Sequence, residues 1–177
     1  PTPTNTPTNT PTNTPTPTNT PTNTPTQTVT PSTTPPVDWK TFGNELSGFG
    51  NSLFGAAVDI NYEGDRIIIG VPDSEISTMS KAGSAGVYEY NSGTDTWDLM
   101  GQPLTGDQST ARFGGSVSMD DSGDYIVVGA WSADTTISGA GSAVAYEWNS
   151  GASRWDQRGS IITGLSADGF LGRSVWI

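Results

Sequence analysis

The chain has 177 residues and a formal charge of −11, from 18 acidic and 7 basic residues, and it contains neither histidine nor cysteine. The missing residue types exclude disulfide bonds, thiolate chemistry, and the most common general base and zinc ligand. The strong negative charge makes nucleic acids and anionic membranes unfavourable partners.

The first 36 residues form a PTNT-type repeat, and we do not expect them to fold as a domain. They contain 11 Pro, 17 Thr and 5 Asn, with no charged, aromatic or glycine residue, so they cannot bury a core. Each proline fixes its own φ and pushes the threonine before it towards an extended conformation. We predict a polyproline II rod, which at about 3.1 Å per residue reaches roughly 110 Å.

Threonine occupies every even position of this rod from Thr2 to Thr30. On a helix with three residues per turn, alternate hydroxyls visit all three faces, so attached groups would surround the rod. O-linked glycans are the candidates, because no asparagine in the chain has Ser or Thr two positions later, as N-glycosylation requires. The alternative is an unmodified flexible linker. The predicted O-glycosylation sites are Thr2, Thr4, Thr6, Thr8, Thr10, Thr12, Thr14, Thr16, Thr18, Thr20, Thr22, Thr24, Thr26, Thr28 and Thr30.

In composition and strict period, the rod resembles the Pro/Thr-rich parts of mucin-like and hydroxyproline-rich cell-surface glycoproteins. This resemblance implies an extracellular or cell-surface location and covalent O-glycans. It also implies hydroxylated prolines, for which the candidates are Pro3, Pro7, Pro11, Pro15, Pro17, Pro21 and Pro25. No apolar run approaches 18 residues, so the sequence predicts no membrane span. No signal peptide is visible, and the start inside a repeat suggests processing or an incomplete sequence.

The rest of the chain carries a repeat of 58 residues, the spacing of Trp39, Trp97 and Trp155. Three segments align around a glycine, namely LFGAAV (53–58), RFGGSV (112–117) and FLGRSV (170–175). Two further pairs match, RIIIGVP (66–72) with YIVVGAW (125–131), and GSAGVYEYNSG (83–93) with GSAVAYEWNSG (141–151). We therefore divide the chain into the rod (1–36) and a repeat region (37–177), with units 39–96, 97–154 and an incomplete 155–177.

Each unit predicts four short antiparallel strands and no helix. They are a Phe-Gly segment, an apolar run ending in Gly, an alternating segment and a Trp-led segment. Asn-Ser-Gly at 91–93 and 149–151 marks the turn into the last strand. Four such strands per repeat suggest a propeller blade, so the predicted fold class is all-β, a partial β-propeller preceded by an extended segment.

The pairs Phe54-Gly55 and Phe113-Gly114, followed about fifteen residues later by Gly70-Val71-Pro72 and Gly129-Ala130-Trp131, resemble FG-GAP repeats. That resemblance covers residues 39–177, about two and a half units, and implies the propeller of integrin α-subunits and related extracellular proteins. The departures are Gly-Val-Pro and Gly-Ala-Trp in place of Gly-Ala-Pro, and Leu171-Gly172 in the third unit. A closed propeller needs at least four blades. We therefore expect Ser174 to Ile177 to be a strand and the polypeptide to continue, or other subunits to complete the sheet.

Many FG-GAP proteins carry a calcium loop between the first two strands, and Asp59, Asn61 and Glu63 imitate its beginning. Oxygen clusters of this kind suit hard cations. The closing aspartate is missing from its place, however, and Arg66 stands nearby. A tight hairpin is the alternative that we favour, with calcium kept as a hypothesis and no other cofactor predicted.

No residues point to catalysis, because the neighbouring carboxylates of Asp120 and Asp121 face opposite ways on a strand. The repeated tryptophans predict packing between blades, while Trp131 and Trp176 lie outside the pattern and are where a sugar-binding site would begin. The sequence predicts a non-enzymatic structural glycoprotein that forms a fibril or surface appendage by self-association or with other extracellular proteins or glycans. The alternatives are a stalked adhesin or lectin, and an accessory domain of a larger hydrolase.

Overall fold

The structure of the chain is a computed structural model that describes residues 41–48, 50 and 52–177. This part contains strands and no helix, and therefore no helix that could cross a membrane. The predicted rod, with its threonine and proline sites from Thr2 to Thr30, lies outside the described residues, as does Trp39. The strands are β1 Ala57–Ile60, β2 Arg66–Val71, β3 Ser84–Asn91, β4 Thr96–Leu99, β5 Leu104–Thr105, β6 Phe113–Met119, β7 Tyr125–Ala130, β8 Ser142–Asn149 and β9 Arg154–Thr163.

The strands form two antiparallel sheets, each of which is a meander. The first sheet has the order β1-β2-β3-β4, with β5 pairing to β3, and the second has the order β6-β7-β8-β9. In the second sheet the pairing register shifts between Phe113 and Ser116 and again between Ala143 and Ala145. The prediction of an all-β chain is confirmed for the described residues, which form two antiparallel sheets of five and four strands.

A short polar side chain closes the first hairpin of each sheet with equivalent hydrogen bonds to the backbone. Asn61 Oδ1 accepts hydrogen bonds from the backbone N–H groups of Asp65 and Arg66, at 3.1 and 2.9 Å. Asp120 Oδ1 accepts the corresponding bonds from Asp124 and Tyr125, at 3.0 and 2.9 Å. Short polar side chains that bond their own backbone favour such turns over a longer loop. The cap therefore fixes where β2 and β7 begin.

The apolar runs of β2 and β7 supply the centre of the core. Ile68, Ile126 and Val128 are fully buried, and Val87 of β3 is buried with them in the same cluster. Burying one such side chain contributes about 1.5–3 kcal/mol. The core therefore extends across both sheets and holds them together.

The Phe-Gly segments differ from the expectation of one strand per segment. Phe113 starts β6, where it pairs with Ala130 and forms a parallel bridge with Gly83 of the preceding unit. Phe54 lies before β1, in a turn closed by a hydrogen bond from Ala56 N to the Leu53 carbonyl. The difference follows from the neighbouring backbone, since the described residues include no earlier unit that could bridge to Phe54.

The prediction of a strand from Ser174 to Ile177 is wrong, because this segment has no strand pairing. Its backbone has no antiparallel neighbour in the described part of the chain, and a strand requires one. Leu171, just before it, forms a parallel bridge with Gly141. The third unit therefore begins to pack on the second as the second packs on the first, but without forming a sheet.

Candidate functional site: the seam between repeat units

Glycines of the Phe-Gly and Gly-x-Pro/Trp segments meet at the seam between units. A Cβ added to Gly70 would lie 2.0 Å from the carbonyl oxygen of Gly114, and one added to Gly129 would lie 2.0 Å from that of Gly172. Real Cβ atoms never come so close to backbone, so only glycine allows this approach. The two halves of the motif are thus complementary surfaces of successive units.

The first strand of each unit also makes a polar contact across the seam. Asp59 Oδ2 accepts hydrogen bonds from the Met119 backbone N–H at 2.8 Å and from the Ser118 hydroxyl at 3.1 Å. At the next seam the Ile177 N–H donates to Ser118 Oγ at 3.2 Å. Asp59 and Ser118 therefore occupy the same position, an acceptor that anchors the following unit.

A tryptophan contact, which we call the tryptophan latch, ties the last strand of each sheet to backbone 55 residues earlier in the chain. For β9 this backbone is the connection between β4 and β5 of the first sheet. The indole N–H of Trp155 donates to the Met100 carbonyl at 3.0 Å, and its backbone N–H donates to Gln102 Oε1 at 3.0 Å. Trp97 repeats both bonds, to the Phe42 carbonyl at 3.0 Å and to Asn44 Oδ1 at 2.6 Å.

A glycine in the left-handed region makes room for the tryptophan ring in each latch. Gly43 has φ +74° and Gly101 has φ +77°. Trp155 is 3% exposed, so the predicted packing role is confirmed for this residue.

Arg66 links the two sheets through its charged side chain. Its guanidinium contacts Glu89 within the first sheet and Asp124 in the second. Burial lowers the pKa of Arg66, but the hydrogen bonds to Asp124 and Glu89 outweigh it and hold the pKa above its usual value. Sequence reasoning used Arg66 only as an argument against a calcium loop, and its partners could not be inferred because Tyr125 occupies the matching position in the second unit.

A cleft of about 350 Å³ opens at the seam between β8 and the loop that follows β5. Tyr146, Asp107 and Gln157 contribute polar groups to its wall. Burial, and secondarily the negative charge of Asp107, raise the pKa of Tyr146 to about 12. A matching cleft of about 450 Å³ lies beside Tyr88 in the first unit.

The structure gives the residues of the suggested calcium loop other roles. Asp59 anchors the second unit, and Asn61, which is buried, caps its own hairpin and also donates to Asp65 Oδ1 at 2.7 Å. Among the described residues no three acidic side chains gather where they could hold a metal ion. The geometry therefore supports the tight hairpin.

The other candidates do not converge on one site. Asp120 caps its turn, and Asp121 provides a backbone carbonyl for Tyr62 N–H at 3.1 Å. Trp131 packs against Arg112 and Phe170, whereas Trp176 is 90% exposed. No family model matches the sequence, and no curated protein matches it at a significant level. The contacts that recur between successive units of the described residues are those of the seam.

Proposed function

We propose that the protein is a non-enzymatic, extracellular structural glycoprotein. In this proposal the Pro/Thr segment is a glycan-coated axis or stalk of a fibril or cell-surface appendage. The repeat region, as FG-GAP-type propeller blades, is its interaction module. The observation that carries the proposal is the pairing of a threonine at every second position from Thr2 to Thr30 with a repeat built around unit-to-unit contacts.

Two features of the described residues support a structural role. The polar groups at the seam are used for anchoring one unit on the next, as at Asp59 and Ser118. Asp59 is engaged in a contact between the sheets, and Asp120 caps a turn. Repeating units that stack through nearest-neighbour interfaces are a common way to build extended scaffolds.

Intact-mass measurement of protein purified from its native source tests the glycan sheath. We expect a mass well above the 18.5 kDa of the polypeptide, in increments of sugar residues. Peptide mapping should place the sugars on threonines of the 1–36 segment, with residues 37–177 as the unmodified internal control. A native mass equal to that of the bare polypeptide would remove the glycan-coated rod from the proposal.

The alternative is a stalked adhesin or lectin-like module, and the seam cleft beside Tyr146 favours it. The cleft wall contains the ring of Tyr146, the carboxylate of Asp107 and the amide of Gln157, and groups of these kinds bind sugars. Calorimetry with a panel of oligosaccharides, with and without calcium, tests this alternative. Saturable binding that is lost in Tyr146→Ala but kept in Tyr62→Ala, an exposed site, would support it, and no heat with any ligand would exclude it for that panel.

A further inference from the structure

The cleft beside Tyr146, which we call the seam cleft, lies between the two sheets. The loop that leaves β5 of the first sheet, with Asp107 and Gln108, forms one wall, and Tyr146 of β8 and Gln157 of β9 belong to the other. Its volume of about 350 Å³ is at the small end of the range for ligand-binding cavities, about 300–1,000 Å³. A cavity of this size suits a ligand of about one sugar ring rather than a segment of a folded partner.

The hydroxyl group of Tyr146 is available to a ligand in this cleft. The hydroxyls of Tyr90 and Tyr125 donate to the carboxylates of Asp95 and Glu147, at 2.7 and 3.2 Å. The Tyr146 hydroxyl has no such partner among the described residues, and only burial and the charge of Asp107 act on its pKa. A phenol hydroxyl both donates and accepts hydrogen bonds. The cleft therefore contains a donor and acceptor that the fold itself does not use.

The charge in the seam cleft is entirely negative. Asp107 and Asp134 line it, and none of the described lining residues is basic. Asp107 forms no ion pair with a basic residue of the described chain, whereas Asp124 and Asp156 each have one. A cleft whose walls carry one sign of charge focuses its field and concentrates ligands of the opposite sign. The seam cleft therefore favours a cationic ligand over a neutral or anionic one.

The cleft beside Tyr88 in the first unit has the tyrosine but fewer polar groups. Its lining contains one acidic residue, Glu75. Leu99 pairs with Tyr88 across the strands, where Gln157 pairs with Tyr146. The shared fold of the two units therefore does not require the second carboxylate and the amide of the seam cleft, and these groups call for another explanation.

We propose that the seam cleft binds an amino sugar, with the ammonium group paired to Asp107 and a ring hydroxyl bonded to Tyr146. An amino sugar combines the positive charge that the carboxylates favour with hydroxyls that match Tyr146 and the Gln157 amide. Hydrogen bonds between an ammonium group and a carboxylate are stronger than neutral ones. The inference rests on the adhesin or lectin-like alternative and names its ligand class, and it can fail while a neutral sugar still binds.

An NMR titration of the isotope-labelled full chain with three sugars of similar ring structure tests the charge preference. At mildly acidic pH glucosamine is positive, glucose is neutral and glucuronate is negative, while the carboxylates of the protein are ionised. We expect glucosamine to bind roughly tenfold more tightly than glucose, and glucuronate not to bind, because a charge-assisted hydrogen bond replaces a neutral one. Shifts should centre on the amides of Asp107, Tyr146 and Gln157, and the amide of Tyr88 should not move.

Asp107→Asn removes the charge and keeps the size of the side chain. It should lower the affinity for glucosamine roughly tenfold and leave that for glucose nearly unchanged. Added salt should weaken the binding of glucosamine but not of glucose. Asp121→Asn makes the same change at an exposed site outside the cleft and is the matched control. Circular dichroism and urea unfolding check that both variants fold.

Loss of glucosamine binding in Asp107→Asn alone would support the inference. Equal affinity for glucose and glucosamine would overturn it and leave a neutral sugar site. Tighter binding of glucuronate, or an equal loss of affinity in Asp107→Asn and Asp121→Asn, would also overturn it, since the local negative charge would then not select the ligand. No shift with any of the three sugars would overturn it together with the support that the cleft gives to the lectin-like alternative, and the structural role would stand.

Discussion

At the residue scale, the first hairpin turns of the two sheets have the same hydrogen bonds but are closed by different side chains. Asp120 accepts hydrogen bonds from Ser122, Asp124 and Tyr125, where the first unit uses Asn61. Burial raises the pKa of Asp120, but these hydrogen bonds outweigh it and hold the pKa below its usual value. The carboxylate form therefore stabilises the folded state, whereas an amide in its place has no charge to lose.

Replacing Asp120 gives a pH-dependent prediction. Because its folded pKa is depressed, its contribution is present above the unfolded pKa of about 4 and is lost as pH falls through the folded value. Asp120→Asn, which copies Asn61, should keep the cap and reduce the loss of stability on acidification below about pH 4. Asp120→Ala should cost about 1 kcal/mol at pH 7. Urea unfolding at several pH values measures both, and equal acid sensitivity of wild type and Asp120→Asn would contradict the role given to the carboxylate.

Tyr146 gives the opposite prediction at alkaline pH. Burial and Asp107 raise its pKa from 10.0 to about 12 in the folded chain, so its contribution is complete below pH 10 and disappears as pH rises to about 12. Tyr146→Phe keeps the ring and removes the ionising group. The variant should therefore lose less stability than the wild type between pH 10 and 12. Tyr62→Phe, at an exposed site, is the control and should follow the wild type in thermal unfolding across this range.

At the scale of single elements, much of the arrangement could be predicted from sequence. The apolar run before Gly70 and the Asn-Ser-Gly turn at 91–93 correctly gave β2 and the β3-β4 hairpin, because local turn chemistry and alternation decide them. The extent of β6 and the lack of strand pairing at Ser174 to Ile177 could not be predicted. Both depend on whether a second backbone segment lies beside the strand, and the local sequence pattern does not contain that information.

The seam glycines give a prediction with a close internal control. Gly114→Ala and Gly55→Ala both place a Cβ on a left-handed backbone, which costs about 1–2 kcal/mol. Only Gly114→Ala also drives a methyl group into the Ser84 carbonyl, 2.1 Å away. The free energy of unfolding of Gly114→Ala should therefore be lower than that of Gly55→Ala by about 1–3 kcal/mol. Equal urea midpoints for the two variants would show that the close approach at the seam contributes nothing.

The tryptophan latches can be compared in the same way. Trp155→Phe removes the donor to the Met100 carbonyl in a buried setting and should cost about 1–3 kcal/mol, plus lost packing. Trp97→Phe removes the same bond to Phe42 at a more exposed site and should cost less. Thermal unfolding followed by circular dichroism measures the difference. A larger loss for Trp97→Phe would mean that burial does not set the strength of the latch.

At the scale of the whole molecule, composition and repeat spacing predicted an all-β chain but not the use of the polar residues. The sequence favours a tight hairpin after Asp59 over a calcium loop, but it does not predict that Asp59 anchors Met119 of the next unit. That contact joins residues 60 positions apart, so it can be seen only in the folded structure. The candidate clefts escaped sequence reasoning for the same reason, since the walls come from strands and loops of different units.

In the proposed function, the Pro/Thr segment is a glycan-coated rod in an extracellular assembly with the repeat region attached. Direct imaging of native, purified material by electron cryomicroscopy tests it most directly. We expect filaments with density surrounding an extended backbone at regular intervals, at threonine positions of the 1–36 segment, and β-sheet units attached to it. Dispersed particles without filaments, with no density beyond the polypeptide around that segment, would contradict the account.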